Sequence, residues 1–242
     1  MNALPTRRLG RTEIRVTVLG YGSLELRGAP LMPQKESSRS GWPWQPPYST
    51  RKQAQIMLNE VLDSGINFID TSIDYGYSEV FIGDYISHRR NEYYLATKCG
   101  CLVGAPPSES NYQSHIFTRE NIVQGVEQSL RRLKTDYIDI LQFHAGPSRE
   151  MLEQHHALET VLDLKRDGKI RFIGMSSTLP NLAEHIDMGV FDIFQIPYSA
   201  FEREHEEIIT KAAGRDAGTV IRGGAARGEP AKGVGTSWDL WQ

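Results

Sequence analysis

Apolar residues recur along this chain in two alternating rhythms, a short strand-like run and then a stretch at helical spacing. Residues 16–21 form a β-rich stretch closing on Gly20 and Gly22. Thr50 and Gln53 then make a capping-box pattern, with Ile56, Met57, Val61 and Leu62 as the predicted apolar face of a helix that Gly65 stops. A strand is expected at 66–70, a helix at 78–87 with Val80, Phe81 and Ile82 on or near its buried side, and a strand at 93–97. Thr118 caps an amphipathic helix whose apolar positions, Ile122, Val123, Val126, Leu130 and Leu133, match the 3.6-residue period. Strands at 137–143, 170–175, 191–196 and 219–221 alternate with helices at about 149–165, 182–188 and 204–213.

A βα unit used again and again favours a parallel sheet. Both a barrel and a doubly wound sheet fit that alternation. No G-x-G-x-x-G follows the first strand, which counts against the dinucleotide-binding sheet. Polar residues gather where strands end, at Asp70, Lys98, His144, Ser176 and Gln195. Barrel enzymes build their sites at that face. The reading is therefore a single α/β domain over 1–242, a (β/α)8 TIM-type barrel. Residues 27–49 interrupt it as a long loop holding five prolines, with Trp42, Trp44 and Tyr48 as a possible apolar wall.

Composition narrows the partners. A net charge of −3 and the lack of a basic stripe argue against nucleic acid. No apolar run approaches the roughly 20 residues of a membrane span. The arginines near the start have no apolar stretch behind them, so no signal peptide is expected. Two cysteines, Cys99 and Cys101, are too few for a disulfide framework, and a reducing cytoplasmic location follows as the default.

Each residue that could carry chemistry has a bland reading when taken alone. Asp70 suits a helix cap or turn, Tyr75 a packing or surface role, Lys98 a solvated strand end, and His144 a satisfied core histidine. Together they are harder to dismiss. An acid, a phenol, an amine and an imidazole reach the C-terminal ends of three successive strands or the loop just after, and in a barrel those ends face one cavity. That set suits reduction of a carbonyl. A phenol of pKa near 10 is a poor acid at neutral pH. An adjacent ammonium would lower it, with a carboxylate holding the ammonium charged. Tyr75 is then the proton donor, and His144 a hydrogen-bond donor to the same oxygen. A barrel hydrolase with a carboxylate pair drawn from Asp70, Asp74 and Glu79 competes, but it leaves Lys98 and Tyr75 without a purpose. No metal site is expected. Cys99-x-Cys101 lacks supporting ligand spacing and reads as lining of the barrel mouth, and the adjacent His155 and His156 diverge on a helix. The acidic run at 202–207 reads as a solvated helix start.

Six segments in order resemble the aldo-keto reductase family, over almost the whole chain. They are RRLGRTEIRVTVLGYGS (7–23), GINFIDTSIDYGYSEVFIG (65–83), LATKCG (95–100), YIDILQFHAGP (137–147), GKIRFIGMSS (168–177) and FDIFQIPYS (191–199). The resemblance implies NADPH/NADP+ lying extended across the barrel mouth, and a small carbonyl or alcohol as substrate. Ser176, Ser177 and Gln195 fall where the family binds the nicotinamide amide, with Ser177 in place of a frequent asparagine. Arg222 stands where many members stack an aromatic. Gly22, Ser23 and Asp70 at the mouth, with Gly223, Ala225 and Arg227 after the seventh strand, complete the implied cofactor contacts. Family members continue through a seventh helix, an eighth strand and an eighth helix. Here only EPAKGVGTSWDLWQ follows Gly228. The expectation is thus a barrel missing its last β/α unit, with open edges suited to pairing with another chain. The rival to an active reductase is a truncated, catalytically impaired relative with a nucleotide-binding or regulatory role.

Overall fold

The computed structural model describes residues 3–27, 50–104 and 115–224. A short antiparallel hairpin, β1 (Thr6–Arg8) and β2 (Arg15–Thr17), comes first. Seven parallel strands follow in sequence order: β3 (Tyr21–Gly22), β4 (Phe68–Asp70), β5 (Tyr94–Cys99), β6 (Ile138–Phe143), β7 (Ile170–Ser176), β8 (Ile193–Pro197) and β9 (Gly218–Arg222). They curl into a nearly closed barrel, the expected (β/α)8-type architecture. The edges β3 and β9 both border one cavity of about 1030 Å³.

Strand alternation sorts the side chains into two layers. Ile69, Leu95, Leu141, Phe143, Ile173, Met175, Phe194 and Ile196 point outward and pack under the helices. Phe68, Ala96, Ile140 and Ile193 point inward, where they meet Leu9, Ile14 and Val16 of the hairpin, so the hairpin plugs one end of the barrel with apolar surface. Two residues further along those strands the inward positions turn polar: Asp70, Lys98, Gln142 and Gln195. The predicted third strand, 93–97, thus ends too early. Observed β5 runs through Lys98 to Cys99 because Lys98 pairs in register with Gln142 and Cys99 with Phe143.

The helices are α1 (Arg51–Asp63), α2 (Ser78–Ile86), α3 (Arg119–Leu133), α4 (Arg149–Gln154), α5 (Ala157–Arg166), α6 (Asn181–Met188) and α7 (Glu206–Gly214). Thr50 accepts from the Gln53 amide while Gln53 accepts from Thr50, the capping box read from the sequence. The predicted apolar face of α1 is half wrong. Ala54, Leu58, Val61 and Leu62 are buried, at the i, i+4, i+7, i+8 spacing of a single stripe, whereas Ile56 and Met57 lie off it and are exposed. The single helix expected over 149–165 is two, because His156 adopts a left-handed conformation (φ 49°) between α4 and α5. No described helix is long and apolar enough to cross a membrane.

Candidate active site

Three inward positions on the neighbouring strands β4, β5 and β6, Asp70, Lys98 and Gln142, create a buried polar layer just below the mouth. Lys98 is fully buried, and its Nζ donates to Asp70 Oδ2 and to the Thr71 carbonyl, each at 2.7 Å. Gln142 Nε2 donates to the other Asp70 oxygen at 2.8 Å. Gly174 is what makes room for that amide, since a Cβ there would lie 2.8 Å from Gln142 Cγ. An ammonium without water is stable only when paired and hydrogen-bonded. Burial pulls the Lys98 pKa down, but Asp70, Tyr75 and Asp74 more than offset it, and the net direction is upward. Lys98 is held charged.

The loop after β4 lays Tyr75 over this pair. Its amide bonds Ser72 O and its carbonyl receives the Ser78 amide that opens α2, so the ring is set by the start of a helix. Lys98 Nζ lies 4.8 Å from the centre of the Tyr75 ring. His144, one residue beyond β6, hangs from the Cys99 carbonyl through its amide (3.1 Å), and its ring meets Tyr75 edge-on at 6.2 Å. Tyr75, His144, Ala145, Ser176, Ser177, Thr178, Gln195 and Arg222 enclose a cavity of about 260 Å³. The predicted acid, phenol, amine and imidazole therefore converge.

One electrostatic expectation needs correction. Burial raises the Tyr75 pKa, and the carboxylates of Asp70 and Asp74 raise it too. Lys98 opposes them without winning, so the phenol sits above its ordinary value of 10.0. The ammonium lessens the penalty of burial rather than making the phenol a strong acid. Tyr75 holds its proton.

The residues expected at the cofactor divide into three groups. Ser176, Ser177, Gln195 and Arg222 line the smaller cavity, with Ser176 Oγ donating to Gln195 Oε1 at 3.2 Å. Gly22, Asp70, Gln195, Arg222 and Gly223 line the larger one, so Gln195 and Arg222 border both. Ser23 goes elsewhere. It is buried, its hydroxyl donates to Asp70 O and accepts from Ser78, and it lines neither cavity. Ala225, Arg227, Trp42, Trp44 and Tyr48 fall outside the described residues.

The carboxylate pair of a hydrolase finds no support in this geometry. Asp70 is locked to Lys98, and Glu79 is wholly buried, accepting from Thr97 and Ser129 beside Arg132. Burial raises the Glu79 pKa despite those partners. Sequence reasoning missed Gln142, although it stands two residues after the inward Ile140 and so shares its face of the strand. It also missed what surrounds His144. Cys99 faces the outer core, whereas Cys101 Sγ stands 3.3 Å from His144 Nδ1, and His115 and Asp74 close around the same nitrogen. No local spacing links residues 74, 101, 115 and 144; only the barrel brings them together.

Residues 38–226 match the Aldo/keto reductase family model. The chain belongs to that family. It is therefore related to oxidoreductases, and two relatives illustrate the range. An uncharacterized oxidoreductase of Bacillus subtilis, YqkF, is 30% identical over 225 residues, 92% of this chain and 65% of that protein. The NADH-specific methylglyoxal reductase of Escherichia coli is 29% identical over 88% of this chain and 64% of its own length. Among solved structures, the holo form of an aldo-keto reductase from Bacillus halodurans superposes with a TM-score of 0.77 at 28% identity, covering 96% of this chain and 72% of that one. The chain spans about half to two thirds of the length of the curated relatives it matches.

Proposed function

We propose that this chain reduces the carbonyl of an aldehyde or ketone to an alcohol, and catalyses the reverse oxidation, with NADPH and with Tyr75 as the general acid. The observation that carries this reading is the buried Asp70–Lys98 pair beneath the Tyr75 ring, beside a cavity that His144 also lines. The fit of a nicotinamide rests on the donor set opposite. Ser176, Ser177 and Gln195 offer the hydroxyls and amide that a carboxamide pairs with, and Arg222 sets a cation where the two cavities meet. The cofactor supplies a hydride to the carbonyl carbon when bound.

The chain's own residues handle the oxygen. A carbonyl oxygen held between Tyr75 and His144 accepts a hydrogen bond from each, which polarises the bond. As negative charge develops there, the phenol proton transfers to it and the product is the alcohol. Lys98 stabilises the phenolate left behind, and Asp70 with Gln142 keeps the ammonium in place. Solvent returns the proton.

The test is a titration of NADPH and of NADH against the chain by cofactor fluorescence, followed by a carbonyl-reduction assay of the chain and its Tyr75→Phe variant. Both nucleotides are needed because the Escherichia coli relative is NADH-specific. Saturable binding, with reduction that the variant lowers by about a hundredfold or more, supports the reading. Equal rates for the two proteins would remove Tyr75 from the mechanism.

A further inference from the structure

Around His144 Nδ1, four potential metal ligands face one another. Asp74 Oδ2, Cys101 Sγ, His115 Nε2 and His144 Nδ1 all lie within 4.8 Å of each other. Three of the separations, Cys101–His144, His115–His144 and Asp74–His144, are 3.3 Å, and Asp74–His115 is 4.0 Å. Tetrahedral zinc, with bonds of roughly 2.0–2.3 Å, places neighbouring donors roughly 3.3–3.6 Å apart. The side chains already stand close to that figure.

Hydrogen bonding alone does not account for the cluster. An imidazole nitrogen carries either one N–H or one lone pair, yet three groups approach His144 Nδ1 at 3.3 Å. Asp74 is 3% exposed, and the nearest donor to its Oδ2 among the described residues is that same His144 Nδ1 at 3.3 Å. A proton on Nδ1 can go to one of the three groups, and a buried polar atom left without a partner is costly. A cation at the centre satisfies all four atoms at once.

The surroundings orient the donors as a metal site requires. Ser72 Oγ donates to Asp74 Oδ1 at 2.5 Å, which leaves Oδ2 for the centre. Cys101 and His115 sit opposite one another in an isolated antiparallel bridge. Asn121, near the start of α3, donates to both the Cys101 and Ile116 carbonyls and staples the two segments together. Gly100, at φ +88°, lets the chain turn there, and a Cβ would lie 2.2 Å from the Phe117 ring.

We propose that Asp74, Cys101, His115 and His144 form a four-coordinate site for a divalent transition metal of the zinc class. A thiolate, two imidazoles and one carboxylate select such an ion over magnesium or calcium. With Nδ1 bound to metal, the His144 proton resides on Nε2, the nitrogen left to donate to a substrate oxygen. That consequence rests on the reductase reading; the site does not.

The experiment uses the full chain, stripped with a chelator and titrated with Co2+ alone. One equivalent should bind, giving the visible bands of tetrahedral cobalt and the near-ultraviolet thiolate-to-cobalt band. Cys101→Ser should abolish the thiolate band, and His115→Gln should weaken binding at least tenfold. A His155→Ala, His156→Ala double variant should behave as wild type. No saturable binding, a thiolate-free octahedral spectrum, or loss of binding in the double variant overturns the site. Should Cys101→Ser fail to fold, His115→Gln decides, since unchanged affinity in that variant also overturns it. A chain that binds Co2+ yet reduces no carbonyl keeps this site and loses the reading above.

Discussion

The two flanks of the barrel mouth are built on opposite principles. On β4, β5 and β6, the side chains of Asp70, Lys98 and Gln142 bond chiefly to one another and are almost wholly buried. On β7, β8 and β9, Ser176 Oγ donates to Gln195 Oε1 at 3.2 Å and lines the smaller cavity, while Gln195 and Arg222 border both. A charge out of water must have its partners assigned by the fold. Polar groups beside a cavity can leave theirs to a ligand. The first flank therefore couples chemistry to stability, whereas the second tunes binding at little cost to the fold.

The sharpest way to break this contrast is to remove one partner of the buried pair. Lys98→Met strands the Asp70 carboxylate and should cost roughly 3–5 kcal/mol in urea unfolding, together with carbonyl reduction. Adding Asp70→Leu should restore part of the stability and none of the activity. A Lys98→Met chain as stable as wild type would mean that the pair contributes nothing to the fold. Tyr75→Phe tests chemistry apart from stability. Turnover should fall by about 10²–10⁴, while the urea midpoint moves far less than for Lys98→Met.

Gly174→Ala reaches the first flank through space alone. Its Cβ would press on Gln142 Cγ, and overpacking of that kind costs about 1–3 kcal/mol. Its turnover should fall as Gln142 loosens Asp70, and an unchanged melting temperature would show the neighbours give way freely. Ser176→Ala, on the second flank, removes a hydroxyl that the proposed nicotinamide would meet, together with its bond to Gln195, which is worth about 1 kcal/mol. The expected outcome is a several-fold weaker cofactor in the fluorescence titration, with a stability loss of about 1 kcal/mol, well short of that for Lys98→Met.

The smallest effect concerns pH, away from both flanks. His185 is buried with Nε2 2.7 Å from Pro147 O and, among the described residues, no hydrogen-bond partner at Nδ1. Burial lowers its pKa below the ordinary 6.5, against the opposing pull of Pro147 O and Glu184. The unfolded chain then binds a proton more readily than the folded one, so stability declines as pH falls below about 6.5. His185→Gln should flatten part of that decline in melting temperature between pH 7.5 and 5.5, and an unaltered slope would assign the decline to other groups.

Much of this architecture was legible along the chain, because strand and helix periods are local properties. The capping box at Thr50, the amphipathic stripe of α3 and the alternation of strands with helices need only neighbours in sequence. What failed also failed for local reasons. Ile56 and Met57 are as apolar as Leu58, and only the position of α1 against the sheet decides which are covered. The break at His156 depends on one residue's backbone conformation, which no periodicity signals.

The same division holds at the site. The sequence by itself determined that an acid, a phenol, an amine and an imidazole fall at the ends of three successive strands or in the loop just after. Strand direction alone delivers such residues to a common face. Only the tertiary structure decided that burial outweighs Lys98 at Tyr75, that Ser23 turns away from both cavities, and that Asp74, Cys101 and His115 gather around His144. Those outcomes depend on solvent exclusion and on distances across separate strands and loops, quantities that do not exist until the barrel has curled.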